Sequence, residues 1–180
     1  MSDFDKNFDL NTNDVTTIKN YFLAYNFILL QENSDHLLFI KKDTFLSGWI
    51  LNPLNWQSAI TVNLASNNND TYQIRYVVKD NGYISPTAFS NLFDSFITNL
   101  NVSLNNKTDY RDSNNQAVKT SKYSMIKYLM VLILGTLLGF ILGGLISKTL
   151  NIPYINYFGL VVGFVLAKKA VNQYVKKSNN

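Results

Sequence analysis

From Tyr128 to Ile146 the chain runs through nineteen residues without a charge: Leu, Ile, Val, Met, Phe, Tyr, Gly and one Thr. A helix of that length rises roughly 28 Å, close to the ~30 Å hydrocarbon core of a bilayer. A polar break from Ser147 to Asn151 follows, then a second uncharged run from Ile152 to Ala167. The pair predicts a transmembrane helical hairpin over residues 123–171, with helices at about 125–146 and 152–171. Pro153 suits the first turn of the second helix, where its missing N–H costs nothing. That helix has only sixteen uncharged residues, about 24 Å, so local thinning of the bilayer or an interfacial placement is expected there.

Lipid tails are as apolar as leucine, so membrane helices associate by close backbone approach at small residues. Gly135, Gly139 and Gly143 recur every fourth residue in the first helix, and Gly159, Gly163 and Ala167 in the second. Counted from the charged ends, Gly135 lies roughly 10 Å deep and Gly159 roughly 12 Å, so these two are expected to face each other. Gly139 and Gly143 then fall opposite Ile155, Asn156 and the turn. That leaves a surplus groove for another copy of the chain or a partner membrane protein.

Orientation follows from lysine and arginine. Arg111, Lys119, Lys122 and Lys127 precede the first helix, Lys168, Lys169, Lys176 and Lys177 follow the second, and the turn has Lys148 alone. Both termini are therefore expected in the cytoplasm, as in a two-pass protein of the cell membrane. The basic flanks are read chiefly as topology determinants, with recognition of acidic lipid as the alternative.

The charge is split. Residues 1–110 carry 7 basic and 11 acidic side chains, and residues 111–180 carry 9 and 1. A nucleic-acid footprint would place the basic excess on the soluble part, which is acidic, so no nucleic-acid partner is expected. Zero Cys removes thiolate chemistry and disulfides. His36 is the one histidine and Glu32 the one glutamate, which leaves little for a metal cluster, a catalytic triad or a paired-carboxylate site. Neither a Gly-rich phosphate loop nor a Gly-x-Ser-x-Gly elbow occurs. No enzyme activity, cofactor, metal or small-molecule substrate is expected.

The soluble head is predicted as an α+β domain over 13–104, in α-β-β-β-β-α order, its antiparallel sheet covered on one face by two helices. Asn13 or Asp14 caps a helix bearing Val15, Ile18, Phe22 and Tyr25 at helical spacing. Phe27–Gln31 and His36–Lys42 read as a hairpin. Ile60, Val62 and Leu64, then Tyr72, Ile74, Tyr76 and Val78, alternate with polar residues as half-buried strands joined by a loop at 66–70. Asp80, Asn81 and Gly82 make a turn, and Ser85–Pro86 opens a helix with Phe89, Leu92, Phe93, Phe96, Ile97 and Leu100 on one stripe. Residues 1–12 read as a disordered tail, 105–122 as a polar tether and 172–180 as a basic tail. Trp49 and Trp56 flank the turn at Asn52–Asn55. They either close the core or form an aromatic lip for a partner or the membrane interface.

The expected function is a non-catalytic binding or assembly module held at the inner face of the membrane. The alternative is a glycine-zipper effector, holin- or toxin-like, that forms a pore by self-assembly.

Overall fold

A computed structural model describes residues 3–10, 14–42, 50–64, 71–80 and 84–178, with side chains described through Gln173. The chain divides into two compact units, residues 1–122 and 123–180.

In the first unit the strands are β1 (Phe4–Leu10), β2 (Ile28–Glu32), β3 (His36–Lys41), β4 (Ser58–Asn63) and β5 (Tyr72–Val78). They form one antiparallel sheet in the order β1-β5-β4-β3-β2. Helix α1 (Val15–Ala24) follows β1, and α2 (Ser90–Asn106) follows β5 after a 3-10 turn at Pro86–Phe89. Asp14 caps α1, its carboxylate accepting from the Thr17 N–H at 3.0 Å. Ser85 makes no such cap, and its hydroxyl instead shares a 2.7 Å hydrogen bond with that of Thr87.

The register fixes which side chains share the core. Phe39, Ile60 and Tyr76 lie abreast on β3, β4 and β5, and so do Leu37, Val62 and Ile74. All six are fully buried, together with Ile18 and Phe22 of α1 and Phe93 and Phe96 of α2. Alternation along the strands sends Asn63, Gln73 and Arg75 to water on the other face. Apolar residues interrupt that face, because Ile28, Ile40, Ala59 and Val77 also stand abreast there, Ile28 exposed and the others half-buried.

Two expectations change. The sheet has five strands, because Phe4–Leu10 of the expected tail pairs with β5 along its whole length. Phe4 and Leu10 reach the core, while Asp5 ion-pairs with Arg75 at 2.6 Å and Lys6 with Asp94 of α2 at 2.8 Å. A charged edge strand of this kind also discourages pairing with other chains. The expected tether is mostly helix as well. Helix α2 ends at Asn106, Lys107 adopts the left-handed conformation that closes it, and α3 (Arg111–Leu150) begins four residues later.

The start of α3 is secured by one side chain. Asn114, only 1% exposed, donates through its amide to the hydroxyls of Tyr21 (2.8 Å) and Tyr25 (2.9 Å) and accepts from the Asn99 amide (2.8 Å). Tyr21 in turn donates to the Phe96 carbonyl. Both protons of the Asn114 amide and one lone pair are thus used, so a strongly polar group is buried without an unmet bond. Burial pushes the Tyr21 phenol well above its ordinary pKa, which keeps it a neutral donor.

Candidate membrane-inserting helix pair

In the second unit α3 packs against α4 (Ile155–Ser178), and the contact is made by the residues of least bulk. A Cβ placed on Gly135 would lie 2.5 Å from that of Ala167 and 3.3 Å from the Gly163 carbonyl oxygen. One on Gly139 would drive into the Gly159 carbonyl oxygen, 2.8 Å from the Gly163 Cα. One on Gly143 would meet Ile155, Asn156 and Gly159. The helices are therefore antiparallel with backbone against backbone, as small-residue rows allow where no hydrophobic drive acts between them. Gly144, beside the row, meets only the Asn156 Cβ at 4.0 Å.

This register corrects the expected one. Gly135 faces Ala167 and Gly163 rather than Gly159, and Gly139 faces Gly159 and Gly163, while Gly143 lies against Ile155 and Asn156 as expected, with Gly159 beside them. The uncharged runs of the two helices do not end at one level: that of α4 ends at Ala167, level with Gly135, while α3 stays uncharged for seven residues more, out to Tyr128. The rows therefore meet each other over most of their length, and the mismatch from which a surplus groove was expected does not occur.

Away from the seam the pair is apolar. Ile133, Leu137, Ile141 and Leu145 form a row on α3, and Val161 and Val165 stand on α4, each more than half exposed. Small inside and large outside is the reverse of a water-soluble pair. Three hydroxyls bond within the unit. Thr136 donates to the Leu132 carbonyl at 2.7 Å and Thr149 to that of Leu145 at 2.9 Å. Ser147 donates to the Ile152 carbonyl at 2.6 Å across the turn. Asn151 and Tyr154 take left-handed φ values of 52° and 69°, so the reversal occupies only 151–154. Pro153 lies in it rather than in the first turn of α4. Tyr154 and Tyr157 are exposed at this end, as aromatic residues at a bilayer interface are. By length and composition, α3 is the one helix among the described residues that suffices to cross a membrane.

The basic flanks divide. Lys119, Lys122, Lys127 and Lys169 are exposed, and Lys168 is half-buried. Lys176 and Lys177 fall in α4, with side chains outside the described residues, as do the whole of Trp49, Asn13, the 66–70 loop and most of the turn after Asp80. Trp56 is in the core at 1% exposure, its indole donating to the Ile50 carbonyl at 3.1 Å and its ring edge-on to Phe89, so the aromatic-lip role passes from it. His36 is half-buried at the start of β3, opposite Asn63.

Sequence reasoning missed Lys41. It follows Leu37 and Phe39 on the core face of β3 and is 7% exposed, its ammonium donating to the Leu54 carbonyl and, at 2.9 Å, to the Asn55 side chain, 4.6 Å from the centre of the Phe27 ring. Burial holds its pKa down, to about 8. The folded state therefore releases this proton between about pH 8 and the unfolded value near 10.4, while the unfolded chain still holds it. The cost of the buried charge is full below pH 8 and fades above it, so Lys41 alone is expected to contribute a gain of about 2 kcal/mol through that interval, opposed near its upper end by the buried Tyr21 and Tyr76 phenols, which keep protons the unfolded chain gives up. Urea titrations across this range are expected to show the rise, and Lys41→Met to remove it.

Among the described residues no cluster of His, Cys, Asp or Glu could hold a metal ion. Comparison with family models, with characterised proteins and with solved structures finds no match to this chain.

Proposed function

We propose that this chain is a two-pass membrane protein whose α3 and α4 cross the bilayer as a hairpin, with both ends cytoplasmic, and whose α+β head acts as a non-catalytic binding or assembly module at the inner face. The observation that carries the reading is the inside-out helix pair, glycine against glycine within and leucine, isoleucine and valine without. Such a surface is costly in water and neutral in hydrocarbon. The lysine distribution supports the orientation. The apolar row Ile28, Ile40, Ala59 and Val77 on the sheet face opposite the helices supports a binding role, since apolar patches of this kind mark contact surfaces. A pore built by self-assembly would need the glycine rows between copies, and here they meet within one chain. The reading is tested by which side of an intact cell presents the α3–α4 turn. Access from outside supports it, and access only after permeabilisation removes the two-pass topology.

A further inference from the structure

The seam register that corrects the sequence count has a second consequence, which rests on the membrane reading above. Residues that meet across the seam have numbers summing to about 300: 135 with 163 and 167, 139 with 159 and 163, 143 with 155 and 159. Lys169 is therefore level with Val131, and Lys127 stands one turn, about 6 Å, further toward the cytoplasmic end. Side chains tilt toward the N-terminus of their helix. The Lys127 ammonium is thereby carried outward, toward water, and the Lys169 ammonium inward, toward hydrocarbon. A cation so placed is stabilised by an anionic partner. The chain has none to offer nearby, because no Asp or Glu occurs after Asp112, although eight lysines do.

Beside this cation the helix pair bears an apolar groove of about 650 Å³. Val131 and Ala170 line its cytoplasmic end, Leu138, Val162 and Leu166 its course, and Gly139 part of its floor. Lys169 lies three residues beyond Leu166 and next to Ala170, and Lys127 four before Val131, so helical spacing puts both lysines at the mouth. From there the groove runs to the level of Ile146 and Ile155, roughly 22 Å, longer than the ~15 Å that one leaflet's tails reach.

We infer that this groove is a binding site for one anionic phospholipid of the inner leaflet, its phosphate held by Lys169 and Lys127 and one acyl chain lying along the seam. Charge complementarity selects the occupant: an apolar channel ending in two lysines, within a half of the chain that has one carboxylate among 70 residues, matches a lipid with an anionic head.

The test uses the full chain reconstituted in phosphatidylcholine vesicles containing a spin-labelled lipid, either phosphatidylglycerol or phosphatidylcholine, with the motionally restricted fraction read by electron paramagnetic resonance. Wild type is expected to retain phosphatidylglycerol over phosphatidylcholine by about fivefold for each lysine at the mouth. Lys127→Gln with Lys169→Gln is expected to abolish that preference while the chain still reconstitutes. Leu138→Trp, which fills the groove and spares both lysines, is expected to lower the restricted fraction. Equal retention of the two lipids by wild type, or a preference unchanged in the double variant, overturns the site. Failure of wild type to enter vesicles at all would instead count against the membrane reading on which the site depends.

Discussion

Gly139→Leu is expected to force α3 and α4 apart. The added side chain would begin inside the Gly159 carbonyl and 2.8 Å from the Gly163 Cα, and neither is the movable end of a side chain. Rotamer changes cannot absorb the clash, so the helices must separate and lose the dispersion contacts along the whole seam. The expected cost is about 3 kcal/mol or more, at the upper end of overpacking effects. Thermal unfolding of the full chain in mild detergent measures it. Gly144→Ala is the control, because the new methyl meets only the Asn156 Cβ at 4.0 Å, and no loss is expected, only a gain of up to about 1 kcal/mol from alanine's better helix propensity. Equal tolerance of both substitutions would mean that the rows do not form the contact.

Asn114→Ala is expected to release the first turns of α3 from the head. The substitution deletes two bonds to the hydroxyls of Tyr21 and Tyr25 and strands the Asn99 amide proton. Tyr21 keeps its bond to the Phe96 carbonyl, so the core beneath should hold. Burying groups without partners costs about 1–3 kcal/mol each, and alanine's better helix propensity returns about 0.5, leaving a net loss of about 2–3 kcal/mol. Hydrogen exchange should locate it, with residues 111–122 losing protection and β3–β5 little changed. Uniformly fast exchange of 111–122 in the unaltered protein would restore the tether reading.

Those two sites also mark how far the sequence could be read. The glycine rows were visible because a four-residue spacing survives any register. Their pairing was not, because it depends on how many residues the turn consumes and on how far the uncharged run of each helix extends. Strands β4 and β5 were plain from strict alternation, and β3 from an apolar run after a turn-prone segment. Strand β1 was hidden by Asp5, Lys6, Asn7 and Asp9, residues of low strand propensity held here by ion pairs to Arg75 and Asp94, partners 70 and 88 residues away. The start of α3 was hidden for a similar reason, since Ser113, Asn114, Asn115 and Thr120 are weak helix formers alone. One signal was present: Ser113, Ala117 and Ser121 repeat the four-residue small-side-chain spacing of the later rows, and they face α2. Lys41 shares the buried face of β3 with Leu37 and Phe39, opposite buried Ser58, a placement the apolar run His36–Lys42 did not reveal because its residues do not alternate.

Whether α3 and α4 cross the bilayer and return is read most directly by cysteine labelling. Because the chain has no cysteine, single cysteines report without interference. Thr149→Cys marks the turn and Gln173→Cys the far end of α4. A membrane-impermeant maleimide added to intact cells is expected to label the cysteine at 149, and to label the one at 173 only after permeabilisation. Labelling at 173 from outside, or at neither position until the cells are opened, would contradict the two-pass reading.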